Sequence, residues 1–158
     1  MCCHDGVYLE PQEEAALRRL VFRRRAELDV PDRFIVRGEG GAPKTAVRDH
    51  AYASRDFPSH FPRTRCVFAL PDARCSLQVL ADNDGVDRWA YKPRACWMHP
   101  LREGAHGPLP PPADPAQDWD RAEKYPGYVC FTRCGRHDPD GKDWREALGA
   151  ELERWKRR

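Results

Sequence analysis

At 158 residues, with 33% of them charged, 15 prolines and a mean hydropathy of −0.81, the chain is one domain, or one domain with a tail, whose apolar core is thin for its length. Its 27 Lys and Arg against 25 Asp and Glu leave a net charge of +2, which gives no sign of a nucleic-acid surface, and no apolar stretch reaches the length needed to cross a membrane. Something besides hydrophobic burial must help to hold such a chain. Structural zinc contributes on the order of 10 to 16 kcal/mol to small folds. Disulfides are the competing staple and belong to oxidising compartments. The first residues, MCCHDGVYLEPQEE, lack the basic region and apolar run of a secretory segment, and the cysteine count of seven is odd. Reduced thiols, metal ligation and a cytoplasmic location are therefore expected.

Cys2, Cys3 and His4 open the chain. Adjacent cysteines point in different directions, so one of the two is the expected ligand unless the backbone there is irregular. His4 is expected to be a lone exposed histidine. Glu10 to Leu28 reads as an amphipathic helix: Pro11 suits the first turn, Glu13 and Glu14 suit its positive end, and Leu17, Leu20, Val21 and Leu28 recur at helical spacing. Arg18, Arg19, Arg23, Arg24 and Arg25 crowd the other faces and complement the negative end as a solvated surface. Asp29-Val30-Pro31 ends the helix.

Arg33 to Val36 is a short strand candidate and Gly38 to Pro43 a loop. The glycine spacing is wrong for a phosphate cradle, and no helical pattern follows Lys44-Thr45. His50 to Arg65 holds Tyr52, Phe57 and Phe61 without clean periodicity, so an ordered irregular segment packed on the cysteine region is expected, with His60 half-buried and hydrogen-bonded.

Cys66 to Pro100 is the stretch that organises the rest. Cys66 opens an apolar run, Cys75 follows a Pro71-Asp72 turn and Cys96 follows a Lys92-Pro93 corner. Proline and aspartate suit successive turn positions, so the run can double back and bring Cys75 towards Cys66. Pro93 then re-aims the chain before Cys96. Between them, SLQVLADNDG looks like a helix ended at Asp84-Gly85. Asp82, Asn83, Asp84 and Asp87 fail the spacing of a calcium loop. Trp89, Tyr91 and Trp97 would shield a metal centre or form the aromatic core.

Gly104 to Ala116 is rich in proline and glycine and reads as a loop stiffened around Pro110 to Pro112. Beyond it, Cys130, Cys134 and His137 fall in a Cys-x3-Cys-Gly-x-His pattern that gathers three donors in one tight segment. Asp143 to Trp155 reads as one helix, with Asp143 and Glu146 as an acidic capping pair and Trp144, Leu148, Leu152 and Trp155 as its buried stripe.

A cysteine doublet before a helix, then Cys66-Val67-Phe68, Cys75 and Lys92-Pro93-x-x-Cys96 with Pro100 behind it, resembles the YkgJ-type cysteine-cluster family, described as zinc- or iron-chelating domains. The resemblance spans roughly the first hundred residues. It implies that Cys2 or Cys3, Cys66, Cys75 and Cys96 are metal ligands. Two features depart from the family pattern. A Cys-x2-Cys pair that usually precedes the doublet has no room before Met1, so the start is truncated or Cys130 and Cys134 replace the pair. The segment between Cys75 and Lys92 is also longer.

The leading expectation is a metal-chelating module with four thiolates from Cys3, Cys66, Cys75 and Cys96, and a second, partial site from Cys2, Cys130, Cys134 and His137. The metal is zinc or iron, mononuclear or as an iron-sulfur cluster, in one or two centres. The alternatives are an iron-dependent metalloenzyme with an open mixed site that includes His60, His99 or His137, and a metal-stapled scaffold whose arginine-rich helix or proline-rich loop binds a protein partner. The expected fold is a small, irregular, metal-centred α+β domain with N- and C-terminal helices and a few short strands. Its core would span 1–103, the loop 104–118, and a C-terminal segment 119–158 would pack on the core as one domain.

Overall fold

The computed structural model describes residues 3–157, and among these the fold is α+β. Five α-helices and six three-residue strands form, the strands pairing as three antiparallel two-stranded ladders. The chain divides into two compact units, one running to Trp97 and the other starting at Met98. That division falls ahead of the boundary after residue 103 expected from the proline-rich stretch. No helix of the described residues is long and apolar enough to cross a membrane.

In the first unit, α1 (Pro11–Leu28) starts at its proline, and the Glu13 carboxylate accepts the Glu10 N–H at 3.0 Å. Leu17, Leu20, Val21 and Leu28 are buried, and the helix ends at Asp29 in the left-handed conformation (φ 45°). The strand expected at 33–36 forms as β1 (Ile35–Arg37). It turns through Glu39–Gly41 and pairs with β2 (Pro43–Thr45). β3 (Val47–Asp49) pairs with β4 (Thr64–Cys66), which sets Val47 opposite Cys66. Ala46 joins the two ladders: its N–H donates to Phe34 at 2.9 Å and its carbonyl accepts from Val67 at 3.0 Å. Val67 and Phe68 then pack under α1 together with Leu77 and Leu80 of α2 (Ser76–Asn83), completing one apolar core. α3 (Arg94–Met98) follows Pro93.

The second unit departs further from expectation. Residues 102–109 form a hairpin, β5 (Arg102–Gly104) with β6 (Gly107–Leu109), so the first residues of the loop expected from Gly104 onward are a turn and a strand. Gly104 and Gly107 face each other across a two-residue turn, and Gly107 takes φ 136°, open only to glycine. The C-terminal helix breaks in two, α4 (Trp144–Ala147) and α5 (Gly149–Lys156), because Leu148 leaves helical angles (φ −110°, ψ 25°) just before a glycine of low helix propensity. Trp144, Leu148, Leu152 and Trp155 are half-buried, not the buried stripe expected. Asp143 caps α4 by accepting the Arg145 N–H at 2.8 Å, whereas Glu146 pairs with Lys142.

Candidate metal centre

In the first unit Cys66 belongs to the apolar core, and Cys3 and Cys75 pack against it. The N-terminal segment lies along β4: the Cys66 N–H donates to the Cys3 carbonyl at 2.7 Å, and the Thr64 hydroxyl to the His4 carbonyl at 2.5 Å. Gly6 makes this path possible. It takes φ 71°, and a Cβ there would stand 2.4 Å from the Thr45 carbonyl oxygen. The segment continues as an edge, Thr45 N–H to Val7 at 2.9 Å and Leu9 N–H to Pro43 at 2.9 Å. Cys3 is thereby fixed at the backbone next to Cys66.

Cys75 arrives by the expected turn. The Leu70 N–H donates to Arg74 at 2.8 Å, the Asp72 carboxylate accepts the Arg74 N–H at 3.0 Å, and Ala73 takes φ 72°. Ala69 and Cys75 then face each other as an antiparallel bridge. Cys66 is buried, while Cys3 and Cys75 are half-buried and pack against the same apolar cluster. Burial pushes the Cys66 thiol above its ordinary pKa, and the neighbouring Cys75 sulfur pushes the same way. The Phe68 N–H and the Thr45 hydroxyl, 3.6 Å from Cys66 Sγ, pull against that shift. One residue beyond Cys75, the Ser76 hydroxyl is buried without a hydrogen-bond partner among the described residues.

Cys96 is half-buried inside α3, one turn after Pro93, with its N–H donating to the Pro93 carbonyl at 3.0 Å. Trp89 and Trp97 are buried and meet at 6.3 Å between ring centroids. His4, expected to be exposed, is instead 1% exposed. It stacks on Phe61 at 4.1 Å and meets the edge of Phe57 at 6.1 Å. The irregular segment 50–65 thus packs against the N-terminal segment through its aromatics, with Tyr52 stacked on Phe57 and His60 edge-on to Phe61.

The second unit directs its donors to other partners. Cys130 is buried, and its thiol donates to the Pro112 carbonyl at 3.3 Å. Burial and the Asp118 carboxylate beside it push that thiol up to about 12. Asp118 is itself pinned by backbone N–H groups of Asp120 (3.0 Å), Tyr128 (3.0 Å) and Cys130 (2.7 Å). Burial raises its carboxyl, but those donors outweigh burial and hold it below the usual aspartate range. Cys134 is exposed and its thiol donates to the Thr132 hydroxyl oxygen at 3.7 Å. That oxygen also stands 3.1 Å from His99 Nε2, while its own proton goes to the Val129 carbonyl at 2.8 Å. His137 is exposed. Thr132, fully buried, is therefore the hub of this corner, and no spacing in the sequence points to it.

Among the described residues no group of three or more His, Cys, Asp or Glu side chains stands arranged to hold a metal ion. Cys2, the expected partner of Cys130, Cys134 and His137, lies outside the described residues. Comparison with protein-family models, with curated proteins and with solved structures returns no match, so the family resemblance rests on the residues that carry it.

Proposed function

We propose that the chain is a metal-chelating module of the YkgJ-type cysteine-cluster class, with Cys3, Cys66, Cys75 and Cys96 as its thiolate ligands. The supporting observation is that Cys3 is hydrogen-bonded at the backbone to Cys66 and that Cys75 stands near enough to Cys66 to push its thiol pKa up, all three against the same apolar core. All four cysteines belong to the first unit. The donors fit a soft metal: an all-thiolate set suits tetrahedral zinc as a closed structural site, and the same set suits an iron-sulfur cluster. When bound, such a group supplies either a structural cross-link or a one-electron carrier.

The chain's own groups supply the rest. The Thr45 hydroxyl faces Cys66, and the Ser76 hydroxyl, a buried donor without an acceptor among the described residues, would be satisfied by a thiolate. The short turn at Pro71–Asp72 holds Cys75 in place before any metal arrives, and the metal would draw the sulfurs the remaining way, since binding and folding are coupled in modules of this size.

Cobalt(II) titration of the anaerobically purified protein tests this, because the intensity of sulfur-to-cobalt charge-transfer absorption counts the thiolates. The wild type should report four. Cys66→Ser, Cys75→Ser and Cys96→Ser should each lose one or all of them, and Cys130→Ser should lose none. Unchanged absorption in Cys66→Ser would reject the ligand set.

A further inference from the structure

The five arginines of α1 are not equivalent. Arg18 is held by Glu14 at 2.8 Å, Arg24 by Glu27 and by both oxygens of Asp84 at 2.9 Å, and Arg25 by Asp32 at 2.5 Å. Arg19 and Arg23 have no carboxylate partner among the described residues, and they stand one helical turn apart on one side of the helix. Both line a groove of about 390 Å³ between α1 and the segment Ala90 to Pro93. Lys92 lines the opposite wall, its ammonium donating to the neutral Gln78 amide at 2.8 Å and having no carboxylate partner among the described residues. The one carboxylate in the wall, Glu13, is already engaged by the N–H groups of Arg94 (2.6 Å) and Glu10 (3.0 Å). Leu17, Leu20 and Pro93 make an apolar floor. The groove thus carries an excess of positive over negative charge along an apolar trough.

We propose that this groove binds an extended acidic segment of a protein partner, with carboxylates at alternate positions seated on Arg19 and Arg23. Four residues of helix rise about 6 Å, so the two arginines leave the helix about that far apart along the groove. Alternate residues of an extended chain point to the same side and repeat every ~6.6 Å, which matches. From Gln12 to Arg23 the groove runs about 16 Å, room for roughly five extended residues. Its walls are exposed at Gln12, Ala16, Arg19 and Arg23, which suits a peptide laid along it rather than a small molecule enclosed in it. Nothing in this binding depends on the metal proposal, since no cysteine lines the groove.

The test is fluorescence anisotropy with a labelled peptide alternating glutamate and valine, titrated with the full chain in dilute salt. The Arg19→Gln, Arg23→Gln double variant should bind it about tenfold more weakly, as expected for loss of two rim charges. Arg33→Glu, on an exposed arginine outside the groove, should bind as the wild type does. A peptide with glutamine in place of glutamate should also bind weakly. Unchanged affinity in the double variant, equal binding of the glutamine peptide, or equal weakening by Arg33→Glu would each overturn the proposal. So would displacement of the peptide by inorganic phosphate at matched charge, which would make the groove a small-anion site. Binding to phosphatidylserine vesicles but not to the peptide would make it a membrane contact and overturn the proposal too. Circular dichroism of the double variant must match the wild type; if it does not, Arg19→Lys with Arg23→Lys, which keeps the charge, must retain binding for the proposal to stand.

Discussion

Replacing Asp118 with alanine removes the acceptor for three backbone N–H groups at once. The Cys130 N–H is buried, so losing its partner carries the full desolvation penalty, about 1 to 3 kcal/mol, while Tyr128 and Asp120 can recover part of their loss from water. Together this gives about 3 kcal/mol of destabilisation at neutral pH. With a urea slope of about 1 to 3 kcal/mol/M, the midpoint should fall by about 1 to 3 M. Because the folded-state pKa of Asp118 is depressed, its contribution is fully present above the ordinary aspartate value and is lost as the pH falls through the folded value. The gap between wild type and Asp118→Ala should therefore close in acid. Urea denaturation followed by tryptophan fluorescence, at neutral pH and below the aspartate range, measures both numbers, and hydrogen exchange should show the Tyr128 and Cys130 amides losing protection in the variant. Equal midpoints at neutral pH, or a gap that persists unchanged in acid, would refute the reasoning.

Phe68 is 2% exposed at the centre of the first unit, so Phe68→Ala should cost about 3 to 5 kcal/mol in chemical denaturation. Gly6→Ala forces a Cβ to 2.4 Å from the Thr45 carbonyl at φ 71°. The N-terminal segment should detach from β4, and Cys3 should react faster with a thiol reagent than in the wild type. The Tyr91 phenol is raised first by its hydrogen bond to Asp84, at 2.7 Å, and then by burial. Asp84→Asn should bring its ultraviolet titration back towards the ordinary tyrosine value.

Two helices near the proposed centre, α1 and α2, were legible in the sequence because their signals are local, whereas α3, which holds Cys96, was read only as a proline corner. α1 carries a proline start, an acidic first turn and four apolar residues at helical spacing, and α2 ends at Asp84-Gly85 as its glycine suggests. The turn that delivers Cys75 was legible for the same reason. The ladders were mostly hidden: three-residue strands are too short for a periodic signal, and Pro43 and Pro108 within strands argue against them. The burial of His4 depends on Phe57 and Phe61, far along the chain, which no local pattern reveals. The Leu148 break in the last helix was hidden because the apolar spacing of Asp143 to Trp155 continues across it. At the site, the cysteines announce themselves by number and spacing. Thr45, Ser76, Asp118 and Thr132 do not, since an isolated hydroxyl or carboxylate acquires its role only when the fold buries it.

The central claim is that the cysteines of the first unit hold a metal. Elemental analysis with an ultraviolet-visible spectrum, on protein purified without oxygen, tests it most directly. The account predicts stoichiometric zinc in colourless protein, or iron with matching sulfide and a broad visible band, and in either case a loss of that metal in Cys66→Ser. Protein that is folded and metal-free, and that takes up neither metal when offered, would contradict it.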